Sequence, residues 1–297
     1  MEIKLAWYGV STFRLTIDDQ VLFLDTYMDR VPEADDVGLK SKDVKNADYI
    51  LIGHSHFDHM WGADIIGKNT GAEIIGSYET IRIMSKEKVD EKQLIPVAGG
   101  ESIHISKDVK IKVFPSQHSC IWAKSGSSDD ICLGDLNLDI RQRIKNVNKF
   151  LNNMSGPSEN PLSNTQKHRQ ETEQGVRGEG GALAYVIDTP KGRILWKDSP
   201  GHWSGIIKDM QPDLAILPAA GRGNIDGEPI QGTLVDFINK ELELIKPKEI
   251  IFSHHDDWMP PSTKKVNMKP IEESVNKNHP KIKITKMEYN KEISLLN

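Results

Sequence analysis

Gly53-His54-Ser55-His56-Phe57-Asp58-His59 is the stretch on which the reading of this chain turns. Three imidazoles and one carboxylate are packed together directly after 49–52, a short apolar run that reads as a buried strand bounded by Gly53. In extended chain, residues two apart project to the same side, so His54 and His56 face one way. Asp58 and His59 then fall on the turn into a helix-like stretch at 61–68. Neutral imidazoles and carboxylates are the ligands that zinc and similar divalent ions take. Buried without a metal, the same groups would be polar atoms lacking partners, which is costly. The segment therefore reads as a metal site able to serve two adjacent ions.

Upstream, 3–7, 12–17 and 21–24 are apolar or alternating runs expected to be strands, with Asp18-Asp19 as a hairpin turn. Downstream, 73–76 reads as a strand, 78–85 as a helix, and 102–105 with 109–115 as a hairpin. Further strands are expected at 182–188, 193–196, 214–217, 249–252 and 282–287, and helices at 232–245 and 271–276. Alternating strands and helices with hairpins at the start predict an α/β layered fold with mixed sheets. The stretch 125–181 breaks the pattern. Within it, 136–152 has helical spacing of Ile140, Ile144, Val147 and Leu151, whereas 153–181 has very few apolar residues and reads as mobile. A lid, an oligomer contact and a plain loop all fit that composition.

Composition narrows the partners. With 37 % apolar and 27 % charged residues the 297-residue chain is ordinary for a globular protein, and one domain is expected over 1–297. A net charge of −5 with scattered Lys and Arg argues against nucleic acid. No apolar run reaches the roughly 18 residues of a membrane span. The N-terminus reads as a strand, not a secretory leader. Cys120 and Cys132 make neither a disulfide framework nor a Cys-rich zinc site. A cytoplasmic protein acting on a small molecule is expected, with no nucleic-acid or membrane partner and with homo-oligomerisation left open.

The His-x-His-x-Asp-His segment resembles the signature of the metallo-β-lactamase superfamily, and other stretches resemble it in the same order. Trp7-Tyr8-Gly9-Val10-Ser11-Thr12-Phe13-Arg14-Leu15 and Val21-Leu22-Phe23-Leu24-Asp25 are similar to its first hairpin, in which the Asp buttresses the ligands. Pro115-Ser116-Gln117-His118-Ser119 resembles its third-histidine motif. Ile194-Leu195-Trp196-Lys197-Asp198-Ser199 resembles the strand carrying the bridging Asp, and 249–253 with His254 the last strand and histidine. The resemblance implies an αβ/βα four-layer sandwich of two mixed sheets with a polar, partly helical insertion. It implies two divalent cations, Zn2+ first with Mn2+ or Fe2+ as alternatives. His54, His56 and His118 would hold one, and Asp58, His59 and His254 the other. Asp198 would bridge them, and His255 is the fallback for His254.

The reaction so implied is hydrolysis by metal-activated water, which Asp58 orients. The Trp-Tyr-Gly-x-Ser-x-Phe opening and the His-x-Asp-Asp ending are most similar to the ascorbate-phosphate lactonase-like branch, which points to an ester, lactone or amide. Phosphoester hydrolysis and an iron-containing redox role are the rivals. Lys197 stands where Gly often precedes the bridging Asp, and Val10 where that branch commonly has His. His202, shortly after Asp198, is a candidate proton donor, as are His255 and Asp256. Trp61, Trp122, Trp203 and Trp258 each follow a motif and are expected to line an apolar pocket mouth. Ser11 and Ser119 read as turn residues.

Overall fold

A computed structural model describes residues 1–123, 136–155, 163–172, 175 and 177–296, with the backbone alone for 150–155. Cys132 and much of the expected insertion lie outside the described residues.

Two seven-stranded sheets share one plan among the described residues. The first runs β17 (Glu292–Ser294), β1 (Ile3–Trp7), β2 (Phe13–Ile17), β3 (Gln20–Leu24), β4 (Tyr49–Leu51), β5 (Glu73–Ser77), β6 (Leu94–Val97). Pairing is antiparallel from β17 to β3 and parallel from β3 to β6. The second runs β16 (Lys283–Thr285), β15 (Glu249–Ser253), β12 (Leu214–Pro218), β10 (Gly192–Lys197), β9 (Leu183–Thr189), β8 (Lys110–Pro115), β7 (Ser102–His104). It is parallel from β16 to β10 and antiparallel from β10 to β7. A small third sheet joins β11 (Gly201–His202), β13 (Asn224–Ile225) and β14 (Glu228–Pro229).

Strand alternation makes the layers. Leu5, Trp7 and Leu15 point into a core shared with Ile111, Tyr185, Ile187, Ile194 and Trp196 of the other sheet. Residues of the opposite parity, such as Ala6, Phe23, Ile50 and Ile74, bury the outer face of the first sheet. They lie under α2 (Ala63–Thr70) and α3 (Tyr78–Lys86). On the second sheet, Leu195, Ala215, Leu217 and Ile250 lie under α7 (Leu234–Ile245) and α8 (Lys269–Asn278). Helix α7 begins in a capping box of Thr233 and Asp236 and buries Phe237, Ile238, Leu242 and Ile245, the 3.6-residue stripe legible in the sequence. The αβ/βα sandwich expected from the sequence is the observed fold. No helix among the described residues is long and apolar enough to cross a membrane.

Departures from expectation have local causes. The helix expected at 61–68 is α2, which starts after Gly62, whose φ of 95° suits glycine, and the turn expected before it is a short helix of its own, α1 (Phe57–Met60). Helix α1 carries Asp58 and His59. Edge strand β17 was not expected, because its three residues are not buried and only pairing with β1 makes them a strand. The polar stretch 125–181 contains α4 (Ile140–Ser155) and an unexpected α5 (Asn164–Thr172). The buried residues of α5 are Thr165, Arg169 and Thr172, so an apolar periodicity could not reveal it. A short α6 (Ser204–Ile207) follows β11.

One buried ion pair braces the first hairpin against the end of β15. Arg30 Nη2 donates to Asp256 Oδ2 at 2.5 Å, and Tyr289 Oη donates to the same oxygen at 2.8 Å. Asp256 Oδ1 accepts the Val10 N–H at 3.1 Å. Gly9 must be glycine: a Cβ would sit 1.6 Å from Arg30 Nη2. Removing one partner of such a pair strands a buried charge. Arg30→Ala is therefore expected to lower the unfolding free energy by about 3–5 kcal/mol, read by urea denaturation. An unchanged midpoint would contradict this bracing role.

Candidate metal centre

Each residue of the expected ligand set follows the carboxyl end of a strand or the turn beyond it. Asp25 follows β3, His54 to His59 follow β4, His118 follows β8, Asp198 follows β10 and His254 follows β15. Ligand sites in layered α/β folds lie at this edge because the loops there converge. Cross-sheet bonds hold the edges together: Tyr185 Oη donates to the Ile52 carbonyl at 2.8 Å, and the Leu183 N–H to that of Gly53 at 2.8 Å.

The rings of His54, His56 and His118 stand edge-on to one another, with centroids 4.6–4.7 Å apart. Their hydrogen bonds fix which nitrogen faces inward. His54 Nδ1 donates to Asp198 Oδ2 at 2.6 Å, His56 Nε2 to the Gly178 carbonyl at 3.1 Å, and His118 Nδ1 to the Ser119 carbonyl at 2.8 Å. The nitrogens left over, His54 Nε2 and His56 Nδ1, are 3.2 Å apart. In neutral rings with these tautomers, two lone pairs face each other. A cation between them turns that repulsion into coordination.

A second group repeats the pattern. His59 Nδ1 donates to Asp25 Oδ2 at 2.7 Å, which leaves Nε2 3.5 Å from Asp58 Oδ2. His254 Nε2 lies 3.5 Å from the same oxygen. Asp198 Oδ1 is buried with no hydrogen-bond partner among the described residues. Gly53 admits the Asp198 carboxylate: a Cβ there would lie 2.1 Å from it. His54, His56 and His118 could thus hold one ion; His54, His59 and Asp198, or Asp58, His59 and His254, could hold another. These donors fit divalent metal ions.

Electrostatics agree. Burial, then the neighbouring imidazoles, hold His54, His59 and His118 well below the ordinary histidine range, so they stand as neutral ligands. Burial pushes Asp58 up, but the adjacent His59 and the hydrogen bond with His254 outweigh it and hold the carboxyl well below its usual range. Burial lowers His254, yet its hydrogen bond to Asp58 raises it overall. Burial raises Asp25 and Asp198. Crowded acids and converging lone pairs are relieved together by positive charge at the centre.

The remaining expected site residues disperse. A cavity of about 250 Å³ is lined by His56, Asp58, His59, His118 and His254, and Trp258 is the only one of the four motif tryptophans among its lining residues. Trp122 is buried with Cys120 and Val147 under the Arg143 guanidinium, Trp61 packs near Tyr27 and Phe57, and Trp203 is exposed. A tryptophan near a motif packs wherever it can bury its surface. His202 is fully buried behind the site, stacked on Phe237 and bonded through Nδ1 to Glu241 at 3.0 Å. Glu241 also pairs with buried Lys197. Against the upward push of burial, Lys197 and His202 hold Glu241 at about 2. His202 does not line the cavity. His255 stacks on Trp7 at 5.0 Å, which leaves His254 as the histidine beside Asp58. Asp256 is held in its ionised form by Arg30 against the cost of burial, so it is no proton donor.

Ser119, Ser199, Ser262, Thr263 and Arg169 line the cavity. Only Ser119 had been singled out, as a turn residue. Arg169 carried no motif at all, since its helix comes from the polar insertion. Gly178 and Gly180 likewise cap the site with carbonyls, to His56 and to Ser55 Oγ at 3.0 Å.

Comparison with known proteins gives the same class. Residues 21–134 match a family described as a beta-lactamase superfamily domain. Over 119 residues the chain is 29 % identical to a UPF0173 metal-dependent hydrolase of Pyrobaculum neutrophilum, covering 39 % of this chain and 51 % of that one. The chain spans about half the length of the curated relatives it matches. Igni18, a metallo hydrolase from Ignicoccus hospitalis, superposes with a TM-score of 0.61 at 16 % identity over 99 % of both chains. YhfI of Bacillus subtilis, a metallo-beta-lactamase fold protein, gives 0.55 at 9 % identity, covering 99 % of this chain and 100 % of that one. The chain has the metallo-β-lactamase fold.

Asp25 buttresses the centre by accepting both the His59 imidazole and the Gly53 N–H, the latter at 3.0 Å. Losing such a partner weakens metal binding by about 10–100-fold. Asp25→Asn is expected to show that loss in a zinc titration against a chromophoric chelator, with an unchanged circular dichroism spectrum. Undiminished affinity would remove Asp25 from the centre.

Proposed function

We propose that this chain is a hydrolase that uses two divalent metal ions, zinc first with manganese or iron(II) as alternatives, to activate water against a small-molecule ester, lactone or amide. The observation that carries the reading is the convergence of imidazole lone pairs and of an Asp198 oxygen with no hydrogen-bond partner among the described residues, beside a small cavity that His56, Asp58, His59, His118 and His254 line. In this reading His54, His56 and His118 hold one ion, Asp58, His59 and His254 the other, and Asp198 lies between. Bound there, the pair lowers the pKa of water towards neutrality and polarises the scissile group.

The chain's own part is orientation and exclusion. Asp58, held ionised, can orient the attacking water with the oxygen it does not give to a metal. His202 has no access to the reacting group from beneath α7. The cavity volume suits a small molecule better than a polymer. The Trp7-to-Phe13 opening, similar to that of the lactonase-like branch, favours acyl chemistry over phosphoester hydrolysis. The described end of the 125–181 insertion acts as a wall of the single domain, because its carbonyls cap His56 and Ser55.

The test is turnover of a panel of lactones and nitrophenyl esters against a nitrophenyl phosphodiester, with zinc-loaded wild type and Asp58→Ala. Acyl substrates are expected to be preferred. Asp58→Ala should lose about 10²–10⁴-fold in kcat, the range typical of removing a group that handles the proton. Full turnover by a folded Asp58→Ala protein sinks the mechanism, and exclusive phosphodiesterase activity sinks the acyl assignment.

A further inference from the structure

Two serines meet at the cavity from separate motif loops. Ser119 follows His118 and Ser199 follows Asp198. They are 7 % and 4 % exposed, and both line the cavity beside His118. The Ser119 N–H donates to Ser199 Oγ at 3.0 Å, so the two residues are neighbours. A serine hydroxyl has one proton to give and lone pairs with which to receive. On Ser199 the Ser119 amide occupies the receiving side, and no acceptor for the hydroxyl's own proton is present among the described residues. Ser119 reaches the same condition by another route. Its Oγ lies 3.2 Å from His118 Nδ1. That nitrogen is 2.8 Å from the Ser119 carbonyl oxygen, which can only accept, so Nδ1 carries the proton. Ser119 Oγ can share that proton, but it has nothing there to donate to.

The other hydroxyls of the cavity differ. Thr263 Oγ1 donates to Asp257 Oδ1 at 3.0 Å and accepts the Met259 N–H at 2.8 Å, so both of its functions are used. Ser262 is exposed, and no hydrogen bond fixes its side chain among the described residues. Ser119 and Ser199 alone combine burial, an engaged lone pair and an unclaimed proton. Space beside them is kept by Gly221, which also lines the cavity. A Cβ there would lie 3.3 Å from Ser119 Cβ and 3.5 Å from Ser119 Oγ, and its φ of 73° favours glycine. A hydroxyl held by an N–H has fewer directions left for its own proton. Donors fixed in this way cost no reorganisation when negative charge develops in front of them.

We infer that Ser119 and Ser199 are catalytic residues whose hydroxyls donate hydrogen bonds to the substrate oxygen that gains negative charge during hydrolysis. The inference deepens the hydrolase reading and rests on it for its kinetic arm. Zinc-loaded wild type, Ser119→Ala, Ser199→Ala and Ser199→Thr are compared on 4-nitrophenyl butyrate. In each alanine variant kcat and kcat/KM are expected to fall together by about 10²–10³-fold, the loss that follows removal of one such donor. Ser199→Thr keeps a hydroxyl and should recover most of that loss. Ser119→Ala leaves its N–H on Ser199 Oγ, so it keeps the test open if Ser199→Ala does not fold. Calorimetry with butylphosphonate, a tetrahedral anion, gives a readout without turnover. It should bind Ser119→Ala at least about tenfold more weakly than wild type. Zinc affinity of Ser119→Ala, read with a chromophoric chelator, should match wild type, because the Ser119 carbonyl is what holds His118 Nδ1. Unchanged kcat in the alanine variants, a rise in KM alone, or equal phosphonate affinity overturns the inference. So does a loss of zinc affinity that accounts for the lost turnover, which would make Ser119 a prop of the centre. If wild type cleaves no ester, the acyl-hydrolase reading fails, and the phosphonate titration still decides the role of the serines.

Discussion

Lone pairs that face each other organise this molecule. His54 Nε2 and His56 Nδ1 stand 3.2 Å apart because a carboxylate and a carbonyl have claimed their opposite nitrogens. The partners come from distant places in the chain, Asp198 and Gly178. Each imidazole of the centre thus depends on a tertiary contact to present the correct atom. The fold delivers those contacts by bringing the carboxyl ends of strands from two sheets to one edge. A site of this kind is destabilising until positive charge fills it, so folding and metal binding are coupled in the same free energy.

The scaffold holds that arrangement with backbone that is itself strained. Val10, Asp25 and His254 have φ of 47°, 54° and 59°, a region that costs non-glycine residues about 1–3 kcal/mol each. Val10, being β-branched, is the least comfortable of them. Its carbonyl accepts the His254 N–H at 2.7 Å, and its N–H is fixed by Asp256. The Trp7-to-Leu15 segment therefore serves the metal centre from a distance: it forces the turn that aims His254. The buried Arg30–Asp256 pair and the glycine at position 9 exist to make that turn possible.

Much of this was legible in the sequence, and the reason is periodicity. Strands β1, β5, β10 and β12 and helix α7 announce themselves through apolar spacing, since each buries one face. The His54–His59 cluster is legible for the opposite reason: its polarity makes no sense in a core without a metal. His118, Asp198 and His254 came instead from the resemblance of the stretches around them to the motifs of the metallo-β-lactamase superfamily. What could not be read was polar burial. Helix α5 hides Thr165, Arg169 and Thr172, so its sequence looks like solvent-exposed loop. His202 looked like a site residue because it follows Asp198 closely, yet β11 turns it behind the sheet towards Glu241. Of the motif tryptophans Trp258 lines the cavity, whereas Trp61, Trp122 and Trp203 are not among its lining residues, as closeness along the chain did not survive packing there. Loop conformation, which decides all of these, is set by tertiary contacts and leaves little trace in local composition.

The central claim is that the two ligand groups are two metal positions sharing Asp198. It is tested most directly by the metal-to-chain ratio of protein reconstituted with zinc, dialysed and measured by plasma emission spectroscopy. Two ions per chain are expected in wild type, and close to one after His254→Ala. A wild-type ratio of one or less, or two ions retained without His254, would contradict the account.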